Sequence, residues 1–178
     1  MIKALVVGTR AGTIELLHRR VGGILKDIAR VDTCWFDDVE KTKADMYICY
    51  SYGFRIQALK DMFKNTNKKV VGAELTLLPA GVKLLKALPR GCKVGVFSEH
   101  LRCANHFLSE IIKSGVVEYH FIAAPMSEMK DVDVDYYIVP EELMDLVAKE
   151  DKSRGIIKVP RTITSMSAAE IINVALSE

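Results

Sequence analysis

The sequence predicts an α/β protein made of two Rossmann-like lobes, each a parallel sheet covered by helices. Three observations support this fold class. Short apolar runs alternate with amphipathic stretches along the whole chain. The order of these segments repeats before and after residues 79–91. Several of the runs also match one another at a spacing of about 90 residues, which suggests an internal duplication.

The composition is that of an ordinary globular protein. The 178 residues are 49% hydrophobic and 27% charged, and a chain of this length buries about two-thirds of its unfolded surface. The net charge is only +2 and the basic residues are dispersed, so we expect no direct nucleic-acid contact. No apolar run approaches the roughly 20 residues that span a bilayer, so we expect no membrane partner.

The cysteines indicate a reducing compartment. All four occur singly and none is part of a CxxC pair: Cys34, Cys49, Cys92 and Cys103. Isolated cysteines in or beside predicted strands and helices are typical of buried thiols. We therefore expect a cytoplasmic protein.

The first lobe is predicted over residues 1–78. Ile2–Val7 is a continuous apolar run, typical of a parallel strand buried on both faces. The predicted strands of this lobe cover residues 2–7, 31–36, 44–50 and 69–73. Helices with apolar residues at three- and four-residue spacing fill the intervals 12–28 and 54–62.

Residues 79–91 are predicted to be a crossing helix and linker. Pro79 is tolerated in the first turn of a helix, and Pro89 with Gly91 ends it. The second lobe then covers residues 92–160. Its predicted strands are residues 93–97, 116–123, 134–139 and 155–159, and its predicted helices are residues 101–112 and 141–149.

The last segment, residues 161–178, is predicted to carry a helix that packs back on the rest of the chain. Ser167 and Glu170 form a capping-box pattern, which predicts that this helix begins at Ala168.

The two halves align strand by strand. Ile2–Val7 matches Cys92–Phe97 at an offset of 90 or 91, and Asp45–Cys49 matches Asp135–Val139 at an offset of 90. The fourth strands match at an offset near 87. For the second strands the pattern predicts an offset of 86, with Val31 opposite Val117. Two lobes of this kind suggest a periplasmic-binding-protein-like architecture. Two unrelated α/β halves with a similar rhythm are the alternative.

A binding site is expected beyond the carboxyl ends of the strands, where open parallel sheets bind their ligands. The loops there supply the predicted ligand-binding residues: Thr9, Arg10, Gly12, Ser51, Tyr52, Glu74, Ser98 and Glu99. Free N–H groups at a helix start favour a carboxylate or phosphate. We expect a small anionic metabolite between the lobes. The alternative is that the Ser and Thr residues only cap the following helices.

Catalytic, metal and cofactor signals are weak, and we predict none of the three. His100, Cys103 and His106 fan over about 120° of a helix surface, which disfavours convergence on one zinc ion. No GxGxxG, Walker A lysine or GxSxG motif occurs. A thiol racemase would need a cysteine beyond a strand in each lobe, but Thr9 and Ser98 occupy those places.

Several segments resemble the N-terminal sensory domain of bacterial sigma-54-dependent transcriptional activators, distantly similar to the propionate-catabolism-regulator type. Ala4–Thr9 is similar to the start of those domains, and Ala44–Tyr52 resembles their third strand with its serine-bearing loop. Leu88–Val94 resembles their leucine-proline-x-glycine segment before the second lobe, and Pro160–Ile172 their closing strand and helix. Leu78–Val96 is also similar to effector domains of GntR-type regulators.

The resemblance implies a signal-sensing domain that binds a small-molecule effector and controls transcription through an attached or separate regulator module, as a homodimer. The sequence lacks the Walker A loop and helix-turn-helix of a full activator. One alternative is a small lyase, isomerase or racemase, with Glu99 or His100 as base and Arg10 holding a carboxylate. Another is an interaction module with an empty cleft.

Overall fold

The computed structural model describes residues 1–177, which form ten β-strands and five α-helices. The chain divides into two compact units. Unit 1 contains residues 1–75 and the chain from Ile163 onward, and unit 2 is Thr76–Thr162. Within residues 1–177, no helix is both long and apolar enough to cross a membrane.

The chain up to residue 73 alternates strands with helical segments. In order it forms β1 (Ile2–Gly8), α1 (Ala11–Ile24), β2 (Ala29–Trp35), a 3₁₀ segment (Phe36–Lys41), β3 (Met46–Tyr50), α2 (Arg55–Phe63) and β4 (Lys69–Ala73). These strands form one parallel sheet in the order β2-β1-β3-β4.

The remaining chain contains a second set of four parallel strands, with two 3₁₀ segments at the place of α2 and with additional elements at both ends. In order it forms β5 (Leu75–Leu77), α3 (Pro79–Lys86), β6 (Lys93–Ser98), α4 (Leu101–Lys113), β7 (His120–Pro125), a 3₁₀ segment (Met126–Asp131), β8 (Tyr136–Pro140), two further 3₁₀ segments (Glu141–Leu146 and Asp151–Arg154), β9 (Ile157–Val159), β10 (Arg161–Ile163) and α5 (Ser165–Leu176). A second parallel sheet has the order β7-β6-β8-β9. The prediction of an α/β protein with two parallel-sheet lobes is confirmed.

The register of β1, β2 and β3 repeats in β6, β7 and β8 at an offset of 90. The fourth strands repeat at 86 instead, since Val71 lies beside Ile48 and Ile157 lies beside Ile138. Lys3 lies beside Arg30 in unit 1, and Lys93 lies beside His120 in unit 2. The predicted offset of 86 for the second strands is therefore wrong. The error arose because the strand was placed from Val116, which is fully buried. Val116 instead lies in the connection after Gly115, whose φ of +80° turns the chain at the end of α4.

One pair of hydrogen bonds occurs in both units. The carboxylate of Asp45 accepts from the Lys3 backbone N–H at 2.9 Å, and the Asp45 N–H donates to the Lys3 carbonyl at 2.9 Å. Asp135 and Lys93 make the same two bonds at 2.8 and 2.9 Å. Each aspartate thereby joins the start of one strand to the segment before a neighbouring strand.

Two short strands carry the chain across the unit boundary. The apolar pattern predicted neither of them, but the resemblance implied a closing strand where β10 lies. β5 and β10 form a two-stranded sheet. At one end the Leu78 N–H donates to the Pro160 carbonyl at 2.9 Å, and at the other the Thr164 N–H donates to the Glu74 carbonyl at 3.0 Å. α3 then packs on β9 in unit 2, whereas α5 packs on β4 in unit 1. The first half of the sequence thus supplies α3 to unit 2, and the second half supplies α5 to unit 1.

The helices of unit 1 cover opposite faces of its sheet. Ala4 and Leu5 are adjacent on β1, so their side chains point to opposite faces. Ala4 packs in an apolar cluster with α1 and with Ile171 of α5, whereas Leu5 packs in a cluster with Leu59 of α2. α1 and α5 therefore cover one face and α2 covers the other.

Two helical predictions need correction. Residues 141–149 were expected to be an α-helix, but Glu141–Leu146 is a 3₁₀ segment. At three residues per turn, Leu143 and Leu146 lie on one side of this segment, and both pack in the same apolar cluster. The last helix begins at Ser165 rather than Ala168, and its N-cap is Thr164, whose hydroxyl accepts from the Ser167 N–H at 3.2 Å.

Candidate functional site

The loop after β1 places Thr9, Arg10 and Gly12 at the start of α1. Arg10 is the N-cap residue, with an extended backbone and no side-chain capping hydrogen bond. Its carbonyl accepts from the Ile14 N–H at 3.0 Å, and Gly12 lies in the first turn. Thr9 therefore does not cap this helix, so the alternative that assigned it only that role does not apply.

The loops after β3 and β4 bring Ser51 and Glu74 together in one pocket of unit 1. The pocket has a cavity volume of ≈ 390 Å³. The Ser51 N–H donates to the Ala73 carbonyl at 3.0 Å, which fixes the loop across the ends of the two strands. Tyr52 follows Ser51, with its ring centre 6.2 Å from that of Tyr50.

Backbone hydrogen bonds to α5 and its cap hold Glu74 in place. Its N–H donates to the hydroxyl of Ser167 at 3.0 Å, and its carbonyl accepts from the Thr164 N–H at 3.0 Å. Ser167 is almost wholly buried and Glu74 is exposed. The main chain of Glu74 is therefore fixed while its carboxylate remains in contact with solvent.

Sequence reasoning missed most of the pocket's lining, which comes from α2, from β4 and from α5. The missed residues are Ile56, Lys60, Gly72, Met166, Ser167 and Glu170. Ile56 and Lys60 are four apart on α2, so their shared face was visible in the sequence. The contribution of α5 had no local signal, because it depends on a helix packing on a strand far away in the chain.

The pocket combines one positive and two negative side chains. Lys60, Glu74 and Glu170 are all exposed, and none makes a side-chain hydrogen bond or ion pair with another residue in the part of the chain that the structure describes. Their formal charges of +1, −1 and −1 give the lining a net charge of −1. Such side chains can bind the charged groups of a ligand without first breaking a contact within the protein.

The positive charge of Lys60 affects the pKa of Cys49, near the end of β3. Burial raises the pKa of the Cys49 thiol to about 12, and the charges of Arg55 and Lys60 oppose that rise. Cys49 is 2% exposed, so it is a core residue rather than a nucleophile for this pocket.

Ser98 and Glu99 lie in unit 2, at the places that Gly8 and Thr9 occupy in unit 1. Ser98 ends β6 and is 3% exposed, which leaves its hydroxyl out of reach of solvent. Glu99 is partly exposed and its Oε1 lies 3.2 Å from Nε2 of His100. His100 is the N-cap residue of α4, and Arg10 is the N-cap residue of α1. Neither makes a side-chain capping hydrogen bond.

A buried ionic cluster in unit 2 was not predicted. Nη1 of Arg161 donates to Oε2 of Glu110 at 2.7 Å, and Nε donates to Oε1 of Glu142 at 2.8 Å. The Arg161 guanidinium also lies 5.4 Å from the ring centre of Phe107. Oε2 of Glu142 is buried without a hydrogen-bond partner among residues 1–177.

Arg161 and its two carboxylate partners are buried and paired with one another, which keeps them from contact with a substrate. The Arg161 side chain is 4% exposed, and those of Glu110 and Glu142 are each 5% exposed. His106 extends the cluster towards solvent, with Nε2 at 3.3 Å from Oε1 of Glu110. We interpret this cluster as a structural element of unit 2.

A second cavity is a shallow apolar groove of ≈ 720 Å³ in unit 2. Leu77, Pro79 and Val82 line it beside two lysines of α3. None of the predicted site residues lies there. In the described chain, no group of three His, Cys, Asp or Glu side chains is arranged to hold a metal ion.

Comparison of the chain with protein-family models, with curated proteins and with solved structures finds no match.

Proposed function

We propose that this chain is the signal-sensing domain of a transcriptional regulator and that its signal is a small metabolite carrying an acid group. The observation that carries the proposal is the pocket of unit 1. Ser51 and Glu74, two residues predicted from the strand ends, line it together with Lys60. An exposed lysine without an ion-pair partner in the described chain suits a ligand carboxylate.

The size of the pocket fits a small ligand. Its volume of ≈ 390 Å³ lies in the range of about 300–1,000 Å³ that is usual for small-molecule sites. Ile56 and Met166 add apolar surface beside the charged groups. A few polar groups on a partly apolar lining are the usual composition of a binding pocket.

The regulatory part of the proposal is supported by the resemblance of segments such as Ala44–Tyr52 and Leu88–Val94 to sigma-54 activator sensory domains. We propose that the protein acts in the cytoplasm, as a homodimer, and passes ligand binding to an attached or separate regulator module. A ligand can drive such an output only if it binds one conformation more tightly than another.

The binding step is tested by thermal unfolding of the purified chain with a panel of organic acids, amino acids and sugar phosphates. We expect at least one acid to raise the melting temperature, and Lys60→Met to remove most of that shift. Lys64→Met, at the end of the same helix, is the matched control and should keep it. A panel without any stabilising acid, or equal shifts in Lys60→Met and wild type, would overturn the binding proposal.

The regulatory step needs a separate experiment. We would join the chain to the ATPase and DNA-binding modules of a sigma-54-dependent activator and measure reporter transcription with each stabilising acid. Ligand-dependent transcription that is lost in Lys60→Met supports the sensor. Transcription unaffected by a ligand that does bind would remove the regulatory role while leaving the binding site.

An enzyme is the second candidate, because Glu99 and His100 form a pair at the carboxyl end of β6 with a 3.2 Å contact. A carboxylate that orients a histidine is one arrangement used for proton transfer. Turnover of amino or hydroxy acids that disappears in both Glu99→Gln and His100→Gln would favour this function over the sensor.

A further inference from the structure

We propose that the ligand of the unit 1 pocket carries an ammonium group as well as its acid group, as an α-amino acid does. This inference rests on the proposed binding function and specifies the ligand class. Lys60 is the cation available for the acid group. A ligand with only an acid group would leave the two anions, Glu74 and Glu170, without a positively charged partner.

The opposite charges come from opposite sides of the sheet. Lys60 is on α2 and Glu170 is on α5, and these helices cover different faces of the unit 1 sheet. The pocket therefore reaches around the carboxyl end of β4, with Gly72 and Glu74 between its two walls. A zwitterion, with its charges on different atoms, matches such a lining better than a single ion does.

A simple anion fits this lining poorly. A phosphate or a dicarboxylate would meet one lysine and two glutamates, so the net field of the three side chains would repel it. An ammonium group placed near Glu74 and Glu170 converts that repulsion into attraction. The acid group can then remain beside Lys60, and the ligand satisfies charges of both signs.

Gly72, Ser167 and two apolar side chains complete the lining of the pocket. A side chain at Gly72 would bring a Cβ within 3.0 Å of the Ser51 Cβ, so the glycine keeps the loop close to β4. The Ser167 hydroxyl accepts from the Glu74 N–H, which fixes its oxygen beside Glu74. Ile56 and Met166 remain for the aliphatic part of the molecule.

The test uses matched probes on the full chain. Calorimetric titrations with the standard L-amino acids identify the tightest binder. Its analogue without the amino group and its analogue without the carboxyl group are then titrated; for leucine these are 4-methylpentanoic acid and 3-methylbutylamine. We expect each analogue to bind about tenfold or more weakly than the amino acid, because each leaves charges unpaired.

Variants separate the two charged walls. Glu170→Gln and Glu74→Gln should weaken the amino acid about tenfold and leave the des-amino analogue unchanged or bound more tightly. Lys60→Met should weaken both ligands. Glu15→Gln, on the exposed side of α1, is the control and should change neither affinity, with circular dichroism confirming that every variant folds.

The outcomes distinguish this inference from the function on which it rests. If the des-amino acid binds as tightly as the amino acid, or if Glu74→Gln and Glu170→Gln both bind the amino acid like wild type, the ammonium site is wrong and the acid-binding sensor survives. If neither amino acids nor acids bind, both proposals are wrong.

Discussion

Nη1 of Arg161 lies 2.7 Å from Oε2 of Glu110, and both side chains are almost completely removed from solvent. The same guanidinium donates to Glu142, so one cation lies between two carboxylates in the interior of unit 2. Charges in such a place are stable only while they are paired.

Replacing Arg161 should therefore destabilise the protein strongly. We expect Arg161→Met to lower the free energy of unfolding by about 3–5 kcal/mol, because it leaves two buried carboxylates without their cation. Urea denaturation followed by circular dichroism measures the loss. Lys41→Met breaks the exposed Lys41–Asp38 pair and should leave the denaturation midpoint almost unchanged. Equal midpoints for Arg161→Met and wild type would contradict the structural role of the cluster.

The repeated aspartates should contribute similarly to the two units. We expect Asp45→Ala and Asp135→Ala each to lower the free energy of unfolding by about 1 kcal/mol, because each removes one acceptor for a backbone N–H. Chemical denaturation of the two single variants gives the comparison. Asp27→Ala changes an exposed residue after α1 and is the control. If only one of the two variants is destabilised, the same hydrogen-bond geometry does not contribute equally to the stability of the two units.

Two glycines should respond to alanine with opposite signs. A Cβ at Gly95 would lie 2.4 Å from Cε2 of the fully buried Phe97, so Gly95→Ala should cost about 1–3 kcal/mol of unfolding free energy through overpacking. Gly22 lies inside α1 with no atom within 4 Å of such a Cβ, so Gly22→Ala should add about 0.5–1 kcal/mol through helix propensity. Thermal unfolding gives both signs, and a stabilised Gly95→Ala would refute the packing around β6.

Cys49 should make the protein sensitive to high pH. Burial raises the pKa of its thiol from 9.0 to about 12. A raised folded-state pKa adds stability that is complete below the unfolded-state pKa and is lost as the pH rises towards the folded-state value. We therefore expect the free energy of unfolding to fall between pH 9 and about 12 less steeply in Cys49→Ala than in wild type.

The matched control for Cys49 is Leu59→Ala, in the same apolar cluster. It should lower stability at every pH because it creates a cavity, but its slope against pH should equal that of wild type. Urea denaturation at several pH values gives both slopes. A Cys49→Ala slope indistinguishable from that of wild type would mean that the thiol does not contribute.

Much of the fold could be predicted from the sequence because strand and helix patterns are local. The apolar run Lys69–Ala73 was predicted with its observed bounds, and Asp45 and Asp135 were aligned at their observed offset of 90. The run beginning at Val116 was misplaced because Val116 and Tyr119, which are buried in the connection before β7, extend the apolar pattern of the strand.

The candidate site was predictable only in part. Ser51 and Glu74 follow strands, so the rule for parallel sheets located them. The rule gave no information about Lys60 or Glu170, because it describes strand ends and not the helices that pack beside them. It also selected Ser98, whose hydroxyl proved to be buried.

The sequence by itself determined which segments become strands and helices, since apolar periodicity records which side of a segment is buried. Only the tertiary structure decided that β5 pairs with β10, that α5 returns to β4 and that Arg161 lies between Glu110 and Glu142. These contacts join residues far apart in the chain. The free energy of each contact depends on the distance between residues in the folded chain, and a local sequence pattern gives no information about that distance.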